Sequence, residues 1–198
     1  NGYSVKVTTD NNYIIAGYTC YSTAPTSPFI IKIDQMGNRL WQHIHNQSYE
    51  GYATDIVESP DGGFMVTGRY RDNDNKYNAL LYKLDVNGNL LWSKTYNGAD
   101  HEKIVAIIKT NDQGYVIAGE TRTLTNRYAA AYLLKINNSG DELWRKAHQI
   151  NYYDTINGIS QTSDGNIIAI GQSAVYQGTS KILLLKTDKN GEISDNPL

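Results

Sequence analysis

Three acidic residues stand at similar places in this chain of 198 residues, two of them at the same repeat position and Glu50 one residue earlier, and their chemistry defines the first hypothesis. Glu50, Glu102 and Asp154 each precede a run of residues typical of a β-strand. Two carboxyl groups held roughly 5 to 10 Å apart can cleave a glycosidic bond, provided that their environments differ enough to separate their pKa values. One interpretation is therefore a polysaccharide hydrolase or lyase. Acids that recur with the same turns, however, are also typical of repeated turn chemistry, and we expect these three groups to be solvated.

A histidine pair offers the second candidate chemistry. His43 and His45 alternate along one predicted strand and so face the same side, which is the minimum geometry for two metal ligands. No third ligand is apparent, and His45 shares its position with Tyr96 and His148, which favours aromatic packing. The sequence contains no G-x-S-x-G, H-E-x-x-H or phosphate-binding motif. We therefore assign no catalytic residue, no metal ligand and no cofactor.

The loops that differ from one part of the chain to the next supply the candidate binding residues. Tyrosine has an apolar body and a polar tip, which suits stacking on sugars or anchoring a protein partner. We expect tyrosines, acids and arginines from these loops to gather on one face, although polar loops over a packed core would look similar. The candidates are Tyr21, Glu50, Arg71, Tyr77, His101, Glu102, Arg127, Tyr128, Tyr153, Asp154 and Tyr176.

Internal repetition identifies the elements that must position these residues. Four columns of residues recur in steps of 51 or 52 residues. The columns are Asp10, Asp61, Asp112 and Asp164; Gly17, Gly68, Gly119 and Gly171; Lys32, Lys83, Lys135 and Lys186; and Trp41, Trp92 and Trp144, with Asp195 in fourth place. The aspartates are expected in tight turns and the lysines at solvated strand ends. The repeat units are residues 1–47, 48–98, 99–150 and 151–198.

Each unit contains four strand-like segments, which in the second unit are ATDIVES, FMVTGRY, NALLYKLD and LLWSKTY. Asp-Gly and Asn-Gly turns join the first to the second and the third to the fourth, and no helical periodicity is present. A four-stranded unit of about fifty residues has the size of a propeller blade. We predict one all-β domain, a β-propeller of four-stranded antiparallel blades that could be part of a larger propeller. Val5, Ile56, Ile107 and Ile159 are expected at equivalent buried positions on the innermost strands.

The segment LDVNGNLLWSKTYNG resembles the Trp-containing motif of propellers of the pyrroloquinoline-quinone type. The whole unit is similar to the repeat of exported and surface proteins of bacteria and archaea. In the quinone family the tryptophan docks against the adjacent blade, and the resemblance implies the same structural role for Trp41, Trp92 and Trp144. Quinone enzymes have more blades and an adjacent cysteine pair, whereas this chain has only Cys20. The quinone is therefore not carried over.

Charge and hydropathy narrow the function classes. The formal net charge is -2 and the basic residues are scattered, which argues against a nucleic-acid partner. No apolar run approaches the roughly 18 residues that cross a bilayer. We favour a non-enzymatic binding and scaffolding propeller at the cell surface, in the periplasm or outside the cell, with a glycan or protein ligand. The alternatives are the polysaccharide-cleaving enzyme and a structural segment of a larger assembly. Two chains of four units could also close an eight-bladed ring as a homodimer.

Overall fold

The prediction of an all-β fold is confirmed by a computed structural model, which describes residues 1–20, 25–45, 50–96, 101–123, 126–175 and 178–193, with the backbone alone at 123, 126 and 127. These residues form fifteen strands and no helix. No helix in these ranges could therefore cross a membrane. The chain divides into two compact units, Asn1–Asn97 and Gly98–Leu198.

The first unit contains two four-stranded sheets in which consecutive strands pair antiparallel. Their strands are β1 (Gly2–Val7), β2 (Tyr13–Thr19), β3 (Ser27–Ile33) and β4 (Arg39–Ile44), followed by β5 (Gly51–Glu58), β6 (Phe64–Arg71), β7 (Tyr77–Leu84) and β8 (Leu90–Tyr96). This up-and-down order is the meander predicted for each repeat.

The second unit repeats the pattern. Its strands are β9 (His101–Lys109), β10 (Tyr115–Thr123), β11 (Asn126–Ile136) and β12 (Glu142–His148), followed by β13 (Tyr153–Gln161), β14 (Ile167–Ala174) and β15 (Ser180–Thr187). A single parallel bridge between Ala129 and Tyr153 joins the two meanders. In the described part of the fourth repeat, an isolated bridge between Thr187 and Ile193 follows β15.

The turn between the third and fourth strands of each repeat is built by local chemistry. In the second repeat Asp85 Oδ1 accepts the N–H groups of Asn87 and Asn89 at 2.9 and 2.8 Å, while the Gly88 N–H donates to Asp85 O at 3.1 Å. Gly88 adopts a φ of 82°, which favours glycine because it carries no Cβ. The Asn-Gly hairpin prediction is confirmed at this turn.

Within each unit the two sheets pack face to face. Ile14, Ala16 and Ile30 from the first sheet meet residues such as Val66 and Tyr82 from the second, and all five are fully buried. In the second unit an equivalent layer is formed by Val116, Ala118, Leu133, Ile167, Ala169 and Leu185. Each sheet therefore buries an apolar face of its neighbour, which a single sheet would leave exposed to water.

The four innermost-strand positions are equivalent in register but not in burial. Val5, Ile56, Ile107 and Ile159 pair with Ile15, Val66, Ile117 and Ala169 respectively. Ile56 and Ile107 are buried, whereas Val5 is 62% exposed and Ile159 is half-buried. The expectation of uniform burial is wrong for Val5, because no described residue covers the face of the first sheet that carries it.

Two tryptophans join neighbouring sheets through glycine turns. The Trp41 ring lies over Gly88, and its Nε1–H donates to Val86 O at 3.0 Å. Trp144 lies in the same way over Gly191 in the second unit. Trp92 is half-buried on β8, with the Lys94 ammonium 5.4 Å from its ring centroid. In the first two cases the indole takes the space that a side chain on the glycine would need.

The column of Gly17, Gly68, Gly119 and Gly171 is explained by backbone contacts rather than by tryptophan rings. Each of these glycines lies opposite a β-bulge in the first strand of its repeat. The pairing of β5 with β6 shifts between Ala53 and Asp55, and this shift brings the Tyr52 carbonyl against Gly68. A Cβ at Gly119 would meet the Lys103 carbonyl for the same reason. Glycine is required here because backbone approaches backbone too closely for any side chain.

Three of the four column lysines are buried, which corrects the expectation of solvated strand ends for them, whereas Lys186 is half-buried. Lys32, Lys83 and Lys135 are 3 to 5% exposed. The ammonium of Lys83 reaches Asp61 Oδ1 at 2.6 Å, and that of Lys135 reaches Asp112 Oδ1 at 2.6 Å. A buried ammonium needs such a partner, so the Asp and Lys columns act as a pair.

Replacing Gly88 by alanine should destabilise the fold more than the same change at Gly37. Both glycines have positive φ, 82° and 86°, so each substitution costs about 1 kcal/mol of backbone strain. Only at Gly88 would the new Cβ also lie 2.5 Å from Trp41 Cε3, whereas nothing lies within 4 Å at Gly37. We expect a further loss of about 2 kcal/mol for Gly88→Ala, measured by urea denaturation. Equal losses for the two variants would contradict the role given to Trp41.

Acid should weaken the fold through Asp112. Desolvation raises the pKa of this carboxyl group, but hydrogen bonds from Lys135, Thr110 and Gly114 outweigh it and hold the pKa at about 2. Because the pKa of Asp112 in the folded protein lies below the ordinary aspartate value of 3.8, the stabilisation is present above about pH 4 and is lost as the pH falls towards 2. The free energy of unfolding of Asp112→Asn should fall less steeply over this range than that of the wild type. Superimposable pH profiles would refute this assignment.

Candidate functional site

A ladder of tyrosine and arginine side chains lies across the strand ends of the first unit. Cross-strand pairing positions its members, since Tyr52 on β5 is opposite Arg69 on β6, and Arg71 on β6 is opposite Tyr77 on β7. Paired residues project from the same face of a sheet, so the alternation of Arg69 and Arg71 along β6 puts both on one side. We call Tyr3, Tyr18, Tyr52, Arg69, Tyr77 and Arg71 the Tyr–Arg ladder.

The spacing within the ladder is that of stacked and edge-to-face contacts. The Arg69 guanidinium lies between two rings, 5.1 Å from the Tyr52 centroid and 5.0 Å from that of Tyr77. The Arg71 guanidinium lies 5.8 Å from the centroid of the Tyr77 ring. Tyr18 meets Tyr52 edge-on with centroids 4.9 Å apart, and Tyr3 lies 5.7 Å from Tyr18. These separations are within the range of favourable cation–π and aromatic pairs.

Glu50 is the acidic member of this site. It accepts a hydrogen bond from the Tyr52 hydroxyl and lies 3.6 Å from Arg71 Nη1. Desolvation, followed by the hydrogen bond to Glu50, raises the pKa of Tyr52 to about 12. Tyr52 therefore remains a phenol at neutral pH, and the charges here are the two guanidinium groups and one carboxylate.

The ladder is accessible to a ligand. Tyr3 is 52% exposed, and the other five members are half-buried, so each side chain presents part of its surface to solvent. The Nε atoms of Arg69 and Arg71 are buried and have no hydrogen-bond partner among the described residues. A rigid row of aromatic edges with guanidinium groups between them can stack on apolar faces and donate hydrogen bonds to oxygen atoms.

A smaller aromatic cluster occurs in the second unit. Tyr128 meets Tyr152 and Tyr153 edge-on, with ring centroids 4.5 and 5.9 Å apart. Tyr128 and Tyr152 also line a depression of about 330 Å³, together with Gln149, Ile150 and Asn151. Tyr152 and Tyr153 are each 40% exposed. The structure thus brings together two of the predicted binding residues, Tyr128 and Tyr153.

Asp154 is buried, contrary to the expectation that it is solvated. It is 0% exposed and accepts the N–H groups of Ile150 and Asn151 at 2.6 and 2.7 Å. Its second oxygen accepts the Ser173 hydroxyl at 2.5 Å. Glu102 is also buried, at 1% exposure, so the same expectation is wrong there. Asp154 holds the segment before β13 in place. Its position in the repeat did not predict these hydrogen bonds.

The remaining predicted residues fall in three groups. Glu50, Arg71 and Tyr77 meet in the first unit, as described above. His101 is half-buried at the start of β9, in register with Arg122. Tyr21 and Tyr176 lie outside the described residues, and Arg127 is described only as backbone of β11.

The paired histidines take part in aromatic packing. His45 stacks on Tyr82 with centroids 4.8 Å apart and planes at 5°, and His43 lies 6.0 Å from His45. Desolvation lowers the pKa of both imidazoles. In the ranges that the structure covers, no group of three or more His, Cys, Asp or Glu residues is arranged to hold a metal ion.

Sequence reasoning missed four ladder residues, namely Tyr3, Tyr18, Tyr52 and Arg69. One signal could have found two of them, because Tyr18 and Arg69 each follow the column glycine of their repeat. Equivalent positions on adjacent stacked sheets lie side by side, so an aromatic residue and a cation in one column form a candidate pair.

Solved structures similar to this chain share its architecture at low sequence identity. An endo-arabinase from Bacteroides thetaiotaomicron VPI-5482 matches with a TM-score of 0.58 and 10% identity over 96% of this chain and 75% of its own. A subtype N10 neuraminidase-like protein of A/little yellow-shouldered bat/Guatemala/060/2010 matches with a TM-score of 0.54 and 14% identity over 96% and 70%. The mannose phosphorylase MPT-4 from Leishmania mexicana matches with a TM-score of 0.52 and 12% identity over 94% and 62%.

These likenesses define the class of fold. Together with the antiparallel four-stranded sheets, they give the chain a β-propeller-like fold. No protein-family model and no curated protein matches the sequence. The resemblance to the quinone-type repeat motif stays a prediction.

Removing the Asp154 carboxylate should destabilise the second unit. Asp154→Ala leaves two backbone N–H groups and a buried hydroxyl without their acceptor, which should lower the free energy of unfolding by about 3 kcal/mol. Glu50→Ala is the control, because its ion pair with Arg71 is half-exposed and should contribute less than about 1 kcal/mol. Urea denaturation followed by circular dichroism measures both. A small loss at Asp154, comparable to that at Glu50, would argue against a structural role.

Proposed function

We propose that this protein is a carbohydrate-binding β-propeller in which the four repeats form the blades and the Tyr–Arg ladder contacts the glycan. The observation that carries the proposal is the ladder itself, in which four tyrosines and two arginines form a continuous row of contacts across neighbouring strands and remain partly exposed. Two strand pairs, β5 with β6 and β6 with β7, hold four of its members, so these side chains are preorganised and lose little entropy on binding.

The chemistry of the ladder suits a sugar chain. Tyrosine rings offer flat apolar edges for the C–H faces of pyranose or furanose rings, and their hydroxyl groups bind sugar hydroxyls. Arg69 adds a planar donor between two rings, which suits hydroxyl or carboxylate oxygens. The ladder runs across several strands, so a ligand with repeated units could contact several of its members at once.

The structural neighbours give general support to a carbohydrate ligand. Their names describe an endo-arabinase, a mannose phosphorylase and a neuraminidase-like protein, all concerned with sugars. A protein of this kind would act where glycans are found, at the cell surface, in the periplasm or outside the cell. We place this protein in the same setting as part of the proposal.

The contacts of two of the three acidic candidates, Asp154 and Glu50, favour binding over glycoside cleavage. Asp154 is occupied by three hydrogen bonds within its own unit, and Glu50 is engaged by Tyr52 and Arg71. A cleaving pair needs one carboxyl group that can exchange a proton with a bound substrate. The proposed role of Glu50 is instead to orient Tyr52 and Arg71 towards the ligand.

Shortening the ladder should weaken glycan binding without unfolding the protein. Screening against arabinan, mannan and sialylated oligosaccharides would identify a glycan that binds, and isothermal titration calorimetry would measure its affinity. Tyr77→Ala and Arg69→Ala should each lower the affinity at least about tenfold, equivalent to 1.4 kcal/mol, because each removes one stacked partner. Tyr153→Ala is the matched control, since this tyrosine belongs to the second unit. The proposal would be refuted if the control lost binding while the ladder variants kept it, or if the wild-type protein bound none of the glycans.

A further inference from the structure

Two sheet faces of this protein expose rows of apolar side chains. On the first sheet, Val5, Val7, Ile15, Phe29 and Ile31 share one face through their cross-strand pairing, and we call this the N-terminal face. Val5 and Val7 are 62% and 67% exposed, and the other three are half-buried.

The last sheet has a corresponding surface. Ile168, Ile170, Ile182 and Leu184 lie on one side of β14 and β15, and we call this the C-terminal face. Ile182 is 80% exposed, and Ile170 and Leu184 are each 52% exposed. Clusters of exposed aliphatic side chains of this size mark an interaction surface, because scattered single residues would not form a continuous patch.

The two exposed faces carry the same repeat positions as the two faces that pack together inside each unit. Val5, Ile15 and Ile31 correspond by 51 residues to Ile56, Val66 and Tyr82, which are buried against the first sheet. On the C-terminal face, Ile168, Ile170 and Leu184 correspond, three repeats later, to Ile14, Ala16 and Ile30, which belong to the same buried cluster as Ile56, Val66 and Tyr82. The second unit repeats the pairing, with Val116, Ala118 and Leu133 against Ala169 and Leu185. The two exposed faces therefore carry the two complementary sides of the contact that joins neighbouring sheets within each unit.

We propose that the C-terminal face of one chain packs on the N-terminal face of a second copy, and that two such contacts close a symmetric dimer of eight repeats. Each contact is head-to-tail, since it joins unlike surfaces, and a head-to-tail contact related by a two-fold axis closes on itself. The occupant of each face is thus a second copy of this chain, whose matching face has the complementary register.

The area of these faces is sufficient for a stable dimer. With strands about 4.8 Å apart and six residues each at about 3.3 Å, the four strands of the first sheet form a face of roughly 400 Å² and β13, β14 and β15 form one of roughly 300 Å². Two contacts, each between one face of either kind, would bury about 1,400 Å², which lies within the range of roughly 1,200 to 2,000 Å² for stable protein interfaces.

Local shape also fits the proposed contact. Pro28, the counterpart of Ile182 in the first repeat, packs against Gly51 of the next sheet, with its Cδ 3.0 Å from a Cβ placed there. On the N-terminal face, Ile15, Gly17 and Phe29 line a depression of about 350 Å³ that also borders Asn1 and Gly2. This depression can accept a branched aliphatic side chain such as that of Ile182 from the second copy.

The first test is the mass of the protein in solution, measured by light scattering after gel filtration. We expect the mass of two chains of 22.1 kDa. Val5→Asp and Leu184→Asp should each shift the protein to the mass of one chain, because each puts a carboxylate into both contacts. Leu91→Asp, at a leucine of similar exposure on β8, is the control and should remain dimeric. A wild-type monomer, or a dimer that neither face variant dissociates, would overturn the proposal.

The second test distinguishes head-to-tail contacts from contacts between like faces. Mixing the Val5→Asp and Leu184→Asp chains leaves one contact with both substitutions and one with neither. Association should therefore return in the mixture, with a dissociation constant at least tenfold below that of either variant alone. A contact between two N-terminal faces would dissociate only in Val5→Asp and would not be restored by mixing, which would refute the proposed arrangement. Circular dichroism of each variant confirms that it is folded.

Discussion

The structure depends on one constraint, which is that each four-stranded sheet is apolar on both faces. Strand β7 shows it most clearly, because Leu80, Leu81 and Tyr82 are consecutive and all are buried although they alternate between faces. Such a sheet cannot turn one face to water, as a sheet with alternating polar residues can. Each repeat is therefore stable only between neighbours, and stacking follows from composition.

The tryptophan–glycine contact makes this stacking specific. Apolar faces could slide over one another, since burial of area has no direction. Trp41 prevents this because its ring fills the space over Gly88 while its Nε1–H binds the Val86 carbonyl. The ion pair of the buried Lys83 with the exposed Asp61 acts within a single sheet, where it holds the turn between β5 and β6 against β7.

Sheet packing within the first unit also determines where the proposed ligand site lies. The Tyr–Arg ladder lies on strands, so its geometry comes from sheet register rather than from loop conformation. Tyr52 and Arg69 are held opposite each other by backbone pairing, and a binding site of this kind requires little ordering when the ligand arrives. The same stacking leaves unlike apolar faces at the first and last sheets, and these supply the proposed contact between two chains.

The sequence alone determined the strands, the turns and the repeat, because these depend on chemistry within a few residues. Asp85 and Gly88 form their turn in any context that provides two strands. Tertiary structure decided the rest. Val5 and Ile56 occupy one column, yet burial differs because it depends on what covers each face. Packing brings Tyr52 opposite Arg69 and gives Asp154 its three hydrogen bonds. The spacing of these residues along the chain does not specify either contact.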